Sequence, residues 1–237
     1  MTSRRSFFSA AALGVASLGA LSLGGCATGL MPAPADDLAR PRRPLTRTRA
    51  RPDYRATYAA YPGEKFPIPA VHYEAIDPRF LRQTVDFPWH EPVGSIVVDP
   101  GAYHLYFVEG PGEATRYGVG VGKEGFGWAG QARVNMKRDW PDWIPPREMI
   151  ERDPAIRAQL QQTPRGMGVP GGAKSPLGAR AMYLFGEGRD LGYRIHGTLE
   201  PETVGSNVSS GCIRMINQDI VHLYTRAALG TPVTVLA

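Results

Sequence analysis

The sequence predicts a mainly β domain with minor helices over residues 93–237 of a 237-residue chain. Two observations carry this prediction. Short runs of β-branched and aromatic residues alternate with turns rich in glycine and proline, which is typical of strands joined by tight connections. Only two stretches have the start signals and the apolar spacing of helices. The hydrophobic content of 43% is ordinary for a globular protein, and the sequence contains no visible internal repeat.

The predicted strands follow one another along the domain. Residues 96–98 and 104–108 are β-favouring runs separated by Pro100-Gly101. Between residues 132 and 136, apolar side chains alternate on one face. The full set of predicted strands is 96–98, 104–108, 115–121, 132–136, 177–185, 193–196 and 232–236.

Two helices are predicted between the strands. Asp153 and Pro154 have the residue types of an N-cap and a first helical position, and they predict a helix that ends near Gln162. Asn217 is predicted to cap a second helix through its side chain. The buried face of this second helix is predicted to consist of Ile220, Val221, Tyr224 and Ala228.

Residues 1–26 have the pattern of a bacterial export signal. Arg4 and Arg5 precede a phenylalanine and an apolar run over residues 10–23, which is too short for a stable membrane span. The arginine pair favours the twin-arginine export route, and an ordinary secretory signal is the alternative. We therefore expect a periplasmic protein.

The signal ends in Leu23-Gly24-Gly25-Cys26, which resembles a lipobox. This pattern predicts that Cys26 is lipidated and that its acyl chains anchor the mature protein in a membrane. Because Ala27 follows the cysteine, the outer membrane is favoured. Release as a soluble periplasmic protein, after Ala33 or Ala35, is the alternative.

The positive charge lies mostly between the signal and the domain. Residues 40–55 contain seven arginines and one aspartate, a surplus larger than the net charge of +5 of the whole chain. The remainder is nearly neutral, which argues against a nucleic-acid-binding fold. Residues 27–70 are rich in proline, alanine and arginine and are expected to be a disordered tether. Residues 71–92 are a transitional segment without a clear prediction.

A cysteine and a histidine in glycine-flanked segments carry the predicted chemistry. The chain has two cysteines, Cys26 and Cys212, and each has a separate explanation that does not require a disulfide. His196 lies sixteen residues before Cys212. An imidazole next to a thiol can lower the thiol pKa and produce a nucleophile. The alternative is that Cys212 is a buried cysteine with a purely structural role.

The residues around this pair suit acyl transfer. Gly211 allows a tight bend before Cys212, and the backbone N–H groups of both residues could face an oxyanion. Ser209 and Ser210 offer hydroxyl groups that could orient the base or the substrate. No pair of histidines or cysteines has the spacing of metal ligands, so neither a metal site nor a cofactor is predicted.

Five segments, in order, are similar to the L,D-transpeptidase catalytic domain of the YkuD or ErfK/YbiS/YnhG type. They begin at Gly120, Asp139, Ser175, His196 and Ser209, in the sequences GVGKEGF, DWPDWIPP, SPLG, HGT and SSGCIRM. The resemblance covers residues 93–237 and implies a β-sandwich or barrel-like domain. It also implies that the partner is a peptidoglycan stem peptide and that a wall-attached envelope protein is a second possible acceptor.

The resemblance assigns roles to individual residues. It implies that Cys212 is the acylated nucleophile, that His196 accepts its proton, and that the carbonyl of Gly197 orients the histidine. Many family members have histidine where Ser210 stands and asparagine where Arg214 stands, and these two departures bear on substrate contacts. The implied reaction cleaves the bond between diaminopimelate and a terminal D-alanine and transfers the acyl group to an amine.

Two other functions are alternatives to the transpeptidase. A hydrolase would use the same residues with water as the acceptor, and a lipid-anchored wall-binding module would use none of them. Trp140 and Trp143, with Trp128, either wall the donor cleft or pack beneath a loop. The proline-rich segment from Trp140 and the glycine-rich residues 166–172 are predicted to cover the site and limit the access of water.

Overall fold

The computed structural model describes residues 52–122, 128–209 and 211–237. Within them the chain forms thirteen strands and four α-helices. The helices are α1 (Tyr54–Thr57), α2 (Arg147–Arg152), α3 (Pro154–Gln159) and α4 (Asn217–Arg226). The strands are β1 (Gln83–Asp86), β2 (Ile96–Asp99), β3 (His104–Gly110), β4 (Glu113–Gly118), β5 (Val121–Gly122), β6 (Gly130–Asp139), β7 (Gln161–Thr163), β8 (Gly166–Gly168), β9 (Arg180–Gly186), β10 (Arg189–Gly197), β11 (Asn207–Ser209), β12 (Ile213–Met215) and β13 (Pro232–Val235).

Nine of these strands form one sheet, in the order β1-β4-β3-β2-β13-β6-β9-β10-β12. Most neighbours are antiparallel, as hairpin connections require, but β2 pairs with β13 and β10 with β12 in parallel. The prediction of a mainly β fold with few helices is confirmed. Each of the seven predicted strands overlaps an observed one, although β9 begins three residues later than expected, at Arg180.

The helix predicted from Asp153 is confirmed but shorter than expected. The side chain of Asp153 accepts a hydrogen bond from the backbone N–H of Ala155 and caps α3, which ends at Gln159. The next residues form β7 and β8, a short hairpin that the sequence analysis missed. The turn of this hairpin contributes Arg165 to the cleft that Cys212 also lines.

The main core lies between the sheet and α4, which packs against β9 and β10. Ile216, Ile220, Leu223 and Ala227 follow the helical spacing and are buried. The predicted buried face is therefore right for Ile220 but wrong for Ala228, which is exposed, and only partly right for the half-buried Val221 and Tyr224.

The prediction that Asn217 caps α4 is wrong. Its side chain makes no capping hydrogen bond and instead reaches two other loops. Its Oδ1 accepts from the backbone N–H of Ala179 at 2.9 Å, and its Nδ2 donates to the carbonyl of Thr198 at 2.8 Å. A tertiary contact has therefore replaced the local one that the residue type suggested.

The expected tether over residues 27–70 is wrong for residues 52–70, which are packed onto the domain. Tyr58 is only 1% exposed, and its hydroxyl donates to the carboxylate of Asp219 on α4. Ile68 is also buried. These two large apolar anchors offset the chain entropy that the composition of this segment seemed unable to offset. Residues 27–51 lie outside the described residues.

None of the helices in the described parts of the chain is long and apolar enough to cross a membrane. The export signal and Cys26 lie outside the described residues.

Candidate active site

The parallel pairing of β10 with β12 brings the two predicted catalytic residues to one face of the sheet. In this register Ile195 pairs with Ile213 and His196 with Arg214. Because side chains alternate along a strand, His196 and Arg214 point away from the core that Ile195 and Ile213 enter. Cys212 lies two residues before Arg214 and therefore shares the face of His196.

Both side chains reach one cleft with a volume of about 620 Å³. This volume is typical of a small-molecule or peptide site. The sheet side of the lining consists of Tyr183 from β9, Arg194 and His196 from β10, and Cys212 directly before β12. A further wall comes from the segment that contains Trp143, from α2 and α3, and from the β7–β8 hairpin. Residues of this wall are Asp142, Trp143, Ile144, Pro146, Met149, Asp153, Ile156, Gln159 and Arg165.

The imidazole of His196 is buried and its orientation is fixed. Its Nδ1 lies 2.5 Å from the carbonyl oxygen of Gly197, the contact that the family resemblance implied. A carbonyl can only accept, so Nδ1 carries the proton and Nε2 is left with its lone pair. Burial lowers the pKa of His196 to about 4, with a smaller contribution from the charge of Arg214. The ring is therefore a neutral base at neutral pH.

Cys212 carries a thiol whose ionisation the surroundings oppose. Burial raises the pKa of Cys212 above its ordinary value, while a hydrogen bond from the backbone of Arg194 and the charges of Arg194 and Arg214 partly offset this effect. The sequence-based expectation of a lowered thiol pKa is therefore wrong for the resting site. A neutral thiol beside a neutral imidazole must transfer its proton during attack rather than before it.

The backbone before the nucleophile has the predicted bend. Gly211 adopts a φ of 112°, a region that favours glycine. The backbone of Ser209 pairs with Gly122 at the end of the short β5–β11 ribbon. Ser210 lies outside the described residues. The roles suggested for Ser209, Ser210 and the N–H groups of Gly211 and Cys212 stay predictions.

The comparisons with known proteins show the family of this domain. The family model of the L,D-transpeptidase catalytic domain (YkuD) matches residues 94–235, more than half of the chain. The chain belongs to this family. The fold resemblance expected from the five sequence segments is thereby confirmed.

Curated relatives match this chain over about 150 residues. "Probable L,D-transpeptidase YcfS" from Escherichia coli is 31% identical over 149 residues, which are 61% of this chain and 44% of YcfS. "Probable L,D-transpeptidase ErfK/SrfK" from Salmonella typhimurium is 31% identical over 150 residues, or 60% of this chain and 43% of that protein. The chain thus spans less than half the length of these two relatives.

A solved structure from Brucella melitensis, named a "Probable carnitine operon oxidoreductase caia", is 49% identical to this chain. It covers 68% of this chain and 96% of its own, with a TM-score of 0.46.

Arg214 of the transpeptidase domain is fixed at the cleft edge. Its backbone N–H and carbonyl both pair with Gly120, at 2.8 and 2.9 Å. Its guanidinium forms an ion pair with Glu200 at 3.3 Å. Both Arg214 and Glu200 line the cleft, so the predicted substrate contact of Arg214 remains compatible with its position.

The two predicted cover segments of the transpeptidase domain are joined to each other. Trp143 and Val169 exchange two backbone hydrogen bonds, each of 2.9 Å. Trp143 lines the cleft, whereas Trp140 is buried away from it against Phe66. Trp128 stacks on Tyr193 with ring centroids 4.9 Å apart. The functional interpretation therefore suits Trp143, and the packing interpretation suits Trp140.

Several residues of the transpeptidase site were missed in the sequence. Tyr183, Arg194 and Arg165 line the cleft, and Asn217, predicted only as a helix cap, donates to the carbonyl of Thr198 directly after Gly197. The alternation along residues 193–196 could have placed Arg194 beside His196 on the cleft face. Arg165 had no such signal, because its hairpin has no apolar periodicity.

Across residues 52–122, 128–209 and 211–237, His, Cys, Asp and Glu side chains form no group of three or more that could hold a metal ion.

Proposed function

We propose that this domain is a cysteine-dependent L,D-transpeptidase that acts on peptidoglycan stem peptides. The Sγ of Cys212 attacks the carbonyl that joins diaminopimelate to a terminal D-alanine, while its proton passes to Nε2 of His196. The N–H groups around Gly211 and Cys212 stabilise the oxyanion. When the C–N bond breaks, the imidazole returns the proton to the departing nitrogen of D-alanine.

The second step transfers the acyl group. An amine attacks the thioester, the C–S bond breaks, and the thiol of Cys212 is restored. The thioester retains the transfer potential of the original bond, so no nucleotide is consumed. The acceptor is the side-chain amine of another stem peptide or a lysine of an envelope protein.

The observation that carries this proposal is the position of His196 and Cys212 on one face of paired strands, in the lining of a single cleft. The carbonyl of Gly197 takes the orienting part that a carboxylate or amide plays in other triads. A wall-binding module would need neither a buried neutral base nor a thiol beside it.

Transfer to an amine is favoured over hydrolysis by the wall above the nucleophile. The backbone pairing of Trp143 with Val169 joins the two segments of this wall. A wall that slows attack by water by only ~2 kcal/mol more than attack by an amine gives roughly thirtyfold discrimination.

The location of the reaction is proposed from the signal sequence. We infer that Cys26 is lipidated and holds the domain at the periplasmic face of the outer membrane, close to its polymeric substrate. Cell fractionation of the wild type and Cys26→Ser tests this inference. A wild-type protein that is already soluble in the periplasm would contradict it.

A carbapenem tests the proposed nucleophile, because its strained ring acylates such a thiol without an acceptor. We expect the wild type to gain the mass of one carbapenem and Cys212→Ala to gain none. His196→Ala should be acylated roughly a hundredfold or more slowly, as expected when a general base is lost. An adduct on Cys212→Ala would place the reaction elsewhere.

A further inference from the structure

Among the side chains that the structure describes, three arginines line the cleft, and they differ in their partners. Arg194 forms a bidentate ion pair with Asp190, at 2.7 and 2.8 Å, and Arg214 pairs with Glu200. Among the residues that the structure describes, no carboxylate lies within ion-pair distance of Arg165. Within this described set, the guanidinium of Arg165 is therefore the one whose charge no carboxylate balances and that is available to a ligand.

The carboxylates of the cleft wall do not compensate Arg165. Asp142 accepts a hydrogen bond from the backbone N–H of Gly171, and Asp153 caps α3. Each is thus engaged within its own segment. A guanidinium that lines the cleft without a carboxylate partner suits a planar, bidentate acceptor such as a carboxylate.

Arg165 is also held in place before any ligand arrives. It lies at the tip of the β7–β8 hairpin, where Oγ1 of Thr163 accepts from its backbone N–H and donates to the carbonyl of Gly166. Its Nη1 donates to the hydroxyl of Tyr183 at 2.6 Å, and its guanidinium carbon lies 5.3 Å from the centre of that ring. This positioning lowers the entropy that binding would cost.

The sheet register gives the backbone separation between Tyr183, which the guanidinium of Arg165 contacts, and the nucleophile. Tyr183 pairs with Arg194 across β9 and β10, and the backbone of Arg194 contacts the thiol of Cys212. Neighbouring strands are about 4.8 Å apart, so Tyr183 and Cys212 are separated by roughly 10 Å. The guanidinium over Tyr183 is thus several bonds away from the carbonyl that Cys212 attacks.

We propose that Arg165 binds a carboxylate of the acyl-donor peptide and thereby selects an acidic donor. This inference rests on the function proposed above. A donor that ends in diaminopimelate and D-alanine offers two carboxylates. The carboxylate of D-alanine is three bonds from the attacked carbonyl, roughly 4 Å, whereas the distal carboxylate of diaminopimelate is six bonds away, roughly 7 Å when extended. The longer reach of the distal group suits a guanidinium that lies over Tyr183, two strands away from Cys212.

Three donors test which carboxylate is bound: the unmodified tetrapeptide, one amidated at the distal carboxylate of diaminopimelate, and one amidated at the C-terminus. The kcat/KM for release of the last residue is measured with the full-length wild type, Arg165→Gln and Arg165→Lys. Arg157→Gln is the matched control, because Arg157 lies on α3 but does not line the cleft.

Distal amidation should lower kcat/KM of the wild type by roughly tenfold to a hundredfold, the usual range for a charged hydrogen bond. Arg165→Gln should have a kcat/KM lower than that of the wild type by a similar factor on the unmodified and C-terminally amidated donors. On the distally amidated donor, its kcat/KM should equal that of the wild type. Arg165→Lys should lie in between, and Arg157→Gln should match the wild type. If Arg165→Gln lowers kcat/KM equally on all three donors, relative to the wild type, the proposal is overturned. If its kcat/KM equals that of the wild type only on the C-terminally amidated donor, the assignment to the distal carboxylate is overturned.

Binding measured without turnover separates this proposal from the proposed reaction. Calorimetric titration of Cys212→Ala with the same donors should show the preference for the distal carboxylate, and Cys212→Ala combined with Arg165→Gln should lack it. If Cys212→Ala shows the preference but the wild type converts no donor, the transpeptidase function fails and the carboxylate site stands. If the wild type converts all donors without any preference, the carboxylate site fails alone.

Discussion

The side chain of Asn217 lies where a side chain on Gly197 would have to be. A Cβ built on Gly197 would be 2.1 Å from Oδ1 of Asn217, and one built on Gly178 would be 2.3 Å from the same atom. Asn217 thus joins the loop before β9 to the loop after β10. The carbonyl of Gly197, which orients His196, is held through this contact.

Asn217→Ala should therefore impair both stability and catalysis. It leaves the N–H of Ala179 and the carbonyl of Thr198 buried without their partner, at a cost of about 1–3 kcal/mol each. The temperature of thermal unfolding and kcat should both decrease. Thr225→Ala, at an exposed position of the same helix, is the matched control and should change neither quantity. If Asn217→Ala keeps its kcat while its unfolding temperature falls, Asn217 has no part in orienting His196.

The electrostatic environment of Cys212 predicts that its thiol is alkylated slowly at neutral pH. Because its pKa is raised, alkylation by uncharged iodoacetamide should be slow at pH 7 and should accelerate only as the pH passes the ordinary range of a thiol. His196→Ala should leave this alkylation nearly unchanged and yet strongly slow acylation by a donor peptide. Rapid alkylation at pH 7 with an inflection between pH 5 and 7 would instead reveal a preformed thiolate–imidazolium pair.

The buried histidines predict that the domain loses stability in acid. Burial lowers the pKa of His104, His196 and His222 to about 4, so between about pH 4 and pH 6.5 these groups take up protons mainly on unfolding. Asp219 acts in the opposite direction, because burial raises its pKa to about 7 despite the nearby charge of Arg82. Unfolding at pH 5 should therefore take up a net of roughly two protons.

Denaturant unfolding between pH 4 and 7 measures this uptake as the slope of the unfolding free energy against pH. Asp219→Asn removes the opposing contribution while keeping an acceptor for the hydroxyl of Tyr58, so its slope should be steeper. An unchanged slope would mean that Asp219 is ionised in the folded domain.

Residues 52–70, which precede the domain predicted from sequence, should contribute to the stability of the domain. Tyr58 donates to Asp219, and its hydroxyl accepts from the backbone N–H of Arg82 at 2.7 Å. Glu64 binds Arg180 through two hydrogen bonds, at 2.7 and 2.9 Å. A chain that begins at residue 71 should therefore unfold at a lower temperature than one that begins at residue 52. Equal unfolding temperatures would show that the segment contributes little.

Sequence reasoning placed the proposed catalytic pair in one site, as the cleft does, because the signal of the pair is local. His196 and Cys212 lie in glycine-flanked motifs, and the parallel register of β10 with β12 then brings them to one face. The sequence could not locate Arg165, since its role depends on a hairpin that folds over Tyr183, eighteen residues away along the chain. Asn217 was assigned to a cap because asparagine favours caps, whereas two distant loops compete successfully for its amide.

Composition was equally misleading for residues 52–70. Proline and arginine dominate the average of the longer segment 27–70, so the two anchors Tyr58 and Ile68 had no weight in it. Each of these side chains fills a buried position that the rest of the fold supplies. A window average cannot reveal such isolated anchors.

The most direct test of the central claim is the fate of a tetrapeptide donor in the presence of an added D-amino acid. Mass spectrometry should find the donor's terminal D-alanine exchanged for the added residue, and dimers joined through two diaminopimelates. A transient acyl-enzyme should appear on the full-length wild type and be absent from Cys212→Ala. Tripeptide as the sole product, with the added amine ignored, would contradict transfer, and product formed equally by Cys212→Ala would contradict the catalytic assignment itself.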